Sequence, residues 1–174
     1  MLELEKTYLA KYLPEDLAHC DAKEIMDLYI PREERHPNMR IRRKGDKYDI
    51  TKKVLVDVAD ASAQEEQTMK LEADEYAVLS RVEGKTLHKV RYEYSFGDVV
   101  ADVDIFQDDL LGLVVVDVEF DTPEEKESFT MPEFCLADVT QEDFIAGGML
   151  CGKRYEDIEK DLEGFGYKKL FLQN

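Results

Sequence analysis

The sequence predicts an α+β fold: an antiparallel sheet, closed or nearly closed on itself, with small helices packed outside. Three observations predict it. About eight short segments alternate apolar and polar residues, the period-2 signature of strands with two unlike faces. Turn residues separate these segments at short intervals, as antiparallel hairpins require. Helical patterns are few, and each is short. At 174 residues and 44% hydrophobic content, the chain is sized for one domain, 1–174, with a sizeable core.

The expected strands are 2–9, 25–30, 38–44, 47–54, 64–71, 85–95, 98–106 and 113–121. Lys44-Gly45-Asp46-Lys47 and Phe96-Gly97-Asp98 read as tight hairpin turns. Pro14 to His19 reads as a short helix with Pro at an early position. A second helix, Glu72 to Val82, places Tyr76, Leu79 and Val82 on one side and stops at Gly84. Thr140-Gln-Glu-Asp resembles a helix start close to a capping box. Arg154 to Glu163 carries Tyr155, Ile158 and Leu162 as one stripe and ends at Gly164.

Bulk composition excludes several function classes. A net charge of −17 disfavours a nucleic-acid backbone or an anionic membrane as partner. The longest apolar run, Leu110 to Val116, is far too short to span a bilayer, and an acidic N-terminus is unlike a signal peptide. Cys20, Cys135 and Cys151 lack C-x-x-C spacing. They read as reduced thiols of a cytoplasmic protein. His36 and His88 sit in no ligand-spaced motif and read as surface residues, and no P-loop occurs.

The informative pattern is the charged face of each strand. Glu3 and Glu5 share a face of the first, opposite Leu2 and Leu4. Arg40 and Arg42 share one on the third, Thr51 and Lys53 on the fourth, and Glu66 and Thr68 on the fifth. Lys89, Arg91 and Glu93 follow, then Asp102 and Asp104, then Asp117 and Glu119. A single such pair is what any half-exposed sheet shows, its polar face solvated and laced with ion pairs. Repetition on seven strands points further. Charges turned into a common concavity are costly to bury without a charged ligand. Guanidinium forks grip phosphate oxygens, and paired carboxylates hold Mg²⁺ or Mn²⁺ against them. The amphipathic helices are then available to cover the apolar faces.

These motifs, in order, are Glu3-Leu-Glu5, Arg40-Ile-Arg42, Thr51-Lys-Lys53, Glu66-Gln-Thr68, Lys89-Val-Arg91, Asp102-Val-Asp104-Ile-Phe106 and Gly112-Leu-Val-Val-Val-Asp117-Val-Glu119-Phe120. Over residues 1 to about 145 the set resembles the CYTH superfamily, the triphosphate tunnel metalloenzymes: inorganic triphosphatases, thiamine triphosphatases and class IV adenylyl cyclases. The stretch between Phe120 and Leu136 carries no match. The resemblance implies an eight-stranded antiparallel barrel forming a tunnel, with Mg²⁺ or Mn²⁺ as cofactor. It implies Glu3, Glu5, Asp104, Asp117 and Glu119 as metal ligands or water positioners. Arg40, Arg42, Lys53, Lys89 and Arg91 would grip phosphate, with Glu66 and Asp102 also facing inward. Asp117, Glu119 and Arg91 are the expected catalytic group. Asp138-Val-Thr140 and the helix expected after it resemble a region that closes one tunnel mouth.

The implied activity is metal-dependent hydrolysis of a triphosphate-containing small molecule, inorganic tripolyphosphate first. Three rival readings stand beside it: cyclisation of ATP to cyclic AMP, non-catalytic polyphosphate or nucleotide binding, and an interaction domain whose charges are all solvated. One departure bears on the choice. The family signature is E-x-E-x-K, and here the lysine position is Thr7, while the adjacent Lys6 points to the opposite face. The extension 148–174 ends on Leu170-Phe-Leu172, suited to plugging the barrel or contacting a second subunit in a homodimer.

Overall fold

The computed structural model describes residues 2–57 and 59–172. Nine strands form one sheet: β1 (Leu2–Ala10), β2 (Ala22–Ile30), β3 (Met39–Lys44), β4 (Lys47–Asp57), β5 (Asp60–Leu71), β6 (Lys85–Phe96), β7 (Val99–Phe106), β8 (Val114–Phe120) and β9 (Cys135–Asp138). The order is β5-β4-β3-β2-β6-β7-β8-β1-β9, every pairing is antiparallel, and β1 also pairs with β5. The first eight strands therefore close into a barrel, as expected. Both predicted hairpin turns form, with Gly45 and Gly97 at φ +60 and +57, a region that favours glycine.

Closure is shared along β1. Leu2 to Leu4 pair with β5, whereas Tyr8 to Ala10 pair with β9. Between them the Thr7 amide donates to Thr140 Oγ1 at 3.0 Å, and the Val139 amide donates to the Thr7 carbonyl at 2.9 Å. Residues 139–140 thus continue the wall where β5 diverges. Thr140 does not start a helix; it caps this gap, because its hydroxyl is taken by Asp138 at 2.6 Å. A four-residue strand such as β9 is too short to show a period, and it escapes sequence reading.

The alternation of β8 shows how the core is divided. Val114, Val116 and Val118 point outward with Tyr8, Val103 and Ile105. They are covered by Leu17, Phe134 and Cys135, with Phe129 packed alongside. The cover here is an aromatic-rich segment, not the amphipathic helix expected. Leu113 and Val115 point the other way, into a second cluster with Leu9, Tyr29, Leu87 and Phe106. Ile145 and, from the C-terminal extension, Leu150, Tyr155, Ile158 and Leu162 complete that cluster. The extension therefore packs against one end of the barrel.

The predicted stripe of residues 155, 158 and 162 is buried. It is split between a 3₁₀ turn at Tyr155–Asp157 and the helix Glu159–Gly164. The predicted helix at 14–19 is a 3₁₀ turn at Leu17–His19. The predicted helix at 72–82 spans Ala73–Leu79 and buries none of its residues. It touches the barrel by stacking Tyr76 on Tyr48, ring centroids 4.6 Å apart. Short helices at Pro123–Ser128 and Gly147–Leu150 lay outside the sequence reading. Among the described residues, no helix is long and apolar enough to cross a membrane.

Candidate functional site: a charged tunnel

The barrel encloses a cavity of about 730 Å³. Its wall is built by period-2 alternation, since each strand sends every second side chain inward. Glu3, Glu5, Arg40, Arg42, Lys53, Glu66, Lys89, Arg91, Asp102, Asp104, Asp117 and Glu119 all line it. The predicted charged faces therefore converge. Among the described residues the lining holds ten Asp or Glu and six Lys or Arg. Such a wall repels a bare polyanion unless cations enter with it.

Register explains which charges meet. Asp27 opposes Arg42 across β2 and β3, and Arg42 donates to both Asp27 oxygens at 2.7 Å. Asp104 opposes Arg91 across β6 and β7; Arg91 Nε and Nη2 donate to its two oxygens at 2.7 Å each. Lys89 also donates to Asp104, and Arg91 to Asp102. Lys53 bridges Glu3 and Glu66. Arg40 is different: among the described residues its Nε is buried with no hydrogen-bond partner. A buried donor left unpaired costs about 1–3 kcal/mol.

Burial by itself works to raise the carboxyls of Asp27 and Asp104, but the adjoining bases outweigh it. Arg42 holds Asp27 below the usual range, and Arg91 with Lys89 holds Asp104 well below it. The adjoining wall, β1 and β8, is less compensated: Lys53 reaches Glu3 and Arg91 Nη2 stands 3.4 Å from Asp117, yet burial prevails at Glu5, Asp117 and Glu119. Burial and the neighbouring Asp117 push Glu5 up to about 8. Asp117 is raised by burial and then by Asp104, and Glu119 by burial and then by Glu3. Thr7 stands opposite Asp117 and donates its hydroxyl at 2.9 Å, a hydrogen bond without a charge. Lys6 points outward, toward the Phe129 carbonyl at 3.5 Å.

Carboxylate oxygens of Glu3, Glu5 and Glu119 lie within 4.8 Å of one another. Clustered hard oxygens of this kind fit a Mg²⁺- or Mn²⁺-type ion, which would supply positive charge among them. Asp104, expected in that set, is instead tied to Lys89 and Arg91. Asp117 lies between the two groups, with Arg91 Nη2 at 3.4 Å.

Sequence reading passed over Asp27, Tyr29 and Asp49, and the Ile145 to Leu150 segment. The search was for doubled charges, and Asp27 is a single acid between apolar neighbours. Its signal was the alternation with Ile25 and Tyr29. Exposed residues line both ends of the cavity: Thr68 and Glu119 at one, His36, Asn38, Glu142 and Asp143 at the other. The second end is half closed by Tyr29, Leu87, Phe106 and Val115 beneath Ile145 and Leu150. His36 is exposed, as expected, yet borders the cavity. His88 lies outside the barrel, between Asp108 at 2.7 Å and Glu24 at 3.2 Å.

No family model matches the sequence, and no curated relative matches it. Solved structures do. The inorganic triphosphatase NE1496 superposes with a TM-score of 0.62 at 20% identity, over 87% of this chain and 95% of that one. A Bacillus halodurans protein provisionally named an adenylate cyclase gives 0.54 at 14% identity, over 99% and 94%. The PH1012 protein of Pyrococcus horikoshii OT3 gives 0.50 at 19%, over 72% and 83%. At these identities the likeness is one of fold, the tunnel barrel that the motif order implied.

Proposed function

We propose that the chain is a member of the CYTH superfamily and a metal-dependent hydrolase of a triphosphate substrate, inorganic tripolyphosphate foremost. One juxtaposition carries the reading: a three-carboxylate cluster faces a wall of bases in one cavity, and Arg40 there keeps an unpartnered Nε. The fold shared with an inorganic triphosphatase supports it.

Glu3, Glu5 and Glu119 are the residues suited to hold the Mg²⁺ or Mn²⁺. Such an ion, when bound, offsets phosphate charge and polarises the bond to be broken. Arg40 and Arg42 bind phosphate oxygens, and Lys53 adds a point charge beside them. Asp27 and Asp104 keep Arg42, Lys89 and Arg91 at fixed positions, so these donors need no reorganisation as charge shifts to the leaving phosphate. Glu119, at the cavity rim and with its carboxyl raised by burial and then by Glu3, orients the attacking water and accepts its proton.

The test is release of free phosphate from tripolyphosphate with Mg²⁺ or Mn²⁺ at alkaline pH, with and without EDTA. Turnover that chelation abolishes is the expected result. Activity surviving chelation contradicts the metal role, and cyclic AMP formed from ATP favours the cyclase reading. Tight binding without phosphate release supports a second reading, a non-catalytic polyphosphate binder. Thr7 is the observation in its favour, since it brings a hydroxyl where the family pattern has a cation.

A further inference from the structure

Among the described residues six bases line the tunnel, and four of them are held by acids at close range. Arg42 is held by Asp27, Lys89 and Arg91 by Asp104, and Lys53 by Glu3 and Glu66. Arg40 is buried with its Nε unpartnered. Lys44 is the sixth. Its one ion pair among the described residues is to Glu93 at 3.9 Å, too long for a hydrogen bond. Glu93 has a nearer partner in Lys23, at 2.8 Å. The Lys44 ammonium is thus a cation of the tunnel wall whose acid is taken by another base.

Strand alternation puts it there. Arg40, Arg42 and Lys44 fall on every second position of β3, so the period that turns the arginines inward also turns the lysine inward. Across the sheet Lys44 pairs with Ile25, whose other neighbour is Lys89. Lys44 also ends its strand, one residue before the Gly45 turn. Successive antiparallel pairings bring together the end of β3, the start of β2, the end of β6, the start of β7 and the end of β8. That is the end of the barrel where Glu119 and Thr68 are exposed, away from the end half closed beneath Ile145 and Leu150. Lys44 therefore stands two residues, about 7 Å of strand, nearer the open mouth than Arg42.

Burial, and then Arg91, lower the Lys44 ammonium below the usual lysine value, and Asp102 and Glu93 only partly offset this. An anion arriving at the mouth relieves that cost without displacing a close internal partner. Drawing Arg42 or Arg91 off its carboxylate would instead leave a buried acid unpaired. The flexible lysine stem and its three rotatable donors let the ammonium follow a phosphate as it enters.

We propose that Lys44 is a further substrate-binding residue, one that takes the phosphate group nearest the open mouth. It lies outside the set of bases that the motif order implied. This rests on the triphosphate reading and adds to it the residue through which the open end recognises the substrate.

The experiment measures the dissociation constant of tripolyphosphate with Mg²⁺ by calorimetry, at physiological ionic strength, for the unmodified chain and for Lys44→Met, Lys44→Gln, Lys44→Arg and Lys47→Met. Lys47 is the control: it is paired with Lys44 across the same hairpin, but it is exposed and does not line the cavity. Lys44→Met removes a charged donor at a half-buried site, so affinity should fall about tenfold. Lys44→Gln, which keeps a polar side chain in the hairpin, should lose as much. Lys44→Arg keeps the charge and should stay within about twofold, as should Lys47→Met, whose outward charge is screened by salt. An unchanged constant for Lys44→Met and Lys44→Gln, a loss as large for Lys47→Met, or a loss as large for Lys44→Arg overturns the Lys44 assignment alone. No binding by the unmodified chain overturns the triphosphate reading, and the Lys44 assignment with it.

Discussion

Two walls of the tunnel carry inward carboxylates and treat them in opposite ways. On β2 and β7, Asp27 and Asp104 are held below the usual range, because Arg42 and Arg91 sit directly across the ladder and Lys89 reaches Asp104 from two residues along. On β1 and β8, Glu5, Asp117 and Glu119 are raised by burial and then by neighbouring acids, and no base stands directly across from them. Burial works against the charged form on both walls. What separates them is whether register supplies a base. One wall is electrostatically complete within the chain, and the other keeps acids that the proposed function pairs with a cation from outside.

The sharpest way to break this contrast is to remove the base that completes the first wall. Arg91→Ala leaves Asp104 and Asp102 without that partner, and breaking a buried pair from one side costs about 3–5 kcal/mol. Denaturant unfolding at neutral pH should show a loss of that size; a change under about 1 kcal/mol would mean the wall tolerates unpaired acids. Arg40→Ala should act on chemistry instead. It removes a donor with no ion pair to break, so kcat/KM for tripolyphosphate should drop by roughly 3–4 kcal/mol of transition-state stabilisation, with a smaller stability loss than Arg91→Ala.

Acidity separates the walls by sign. The folded chain keeps the Glu5 proton up to about 8, whereas the ordinary value is 4.5. Between these values the folded state binds more protons than the unfolded one. Metal-free stability should therefore fall as pH rises through that window, by at most about 1.4 kcal/mol per pH unit. Glu5→Gln should flatten the slope, and added Mg²⁺ or Mn²⁺ should restore stability at the alkaline end. Asp104 acts in reverse: its contribution is present above its ordinary value of 3.8 and is lost as pH falls below it. Unfolding free energies across pH 3 to 9 in EDTA read both slopes, and a metal-free profile that climbs from pH 5 to 8 would contradict the account. The smallest effect expected is for Thr7→Lys. A cation set beside Glu5 and Asp117 should raise metal-free stability at pH 8 by about 1 kcal/mol and weaken the pH slope.

Much of the tunnel was legible because inward positions on a strand recur every second residue. Arg40 with Arg42, Asp117 with Glu119, and Glu3 with Glu5 fall on shared faces by spacing alone. Asp27 could not be placed that way, since one acid among Ile25, Leu28 and Tyr29 has the look of an isolated surface charge. The Thr140 segment misled for a related reason. Its side-chain pattern is that of a helix cap, and only the gap beside β1 turned it into a wall segment.

Alternation and hairpin chemistry were enough to determine the eight barrel strands and most of their inward faces, because these are local properties of a chain with a two-residue repeat. The tertiary structure alone decided which acids found bases, since ladder register sets cross-strand neighbours far apart in sequence. It also decided that Gly147 packs against the Tyr29 hydroxyl, a contact that depends on close packing of distant segments and leaves no periodic trace.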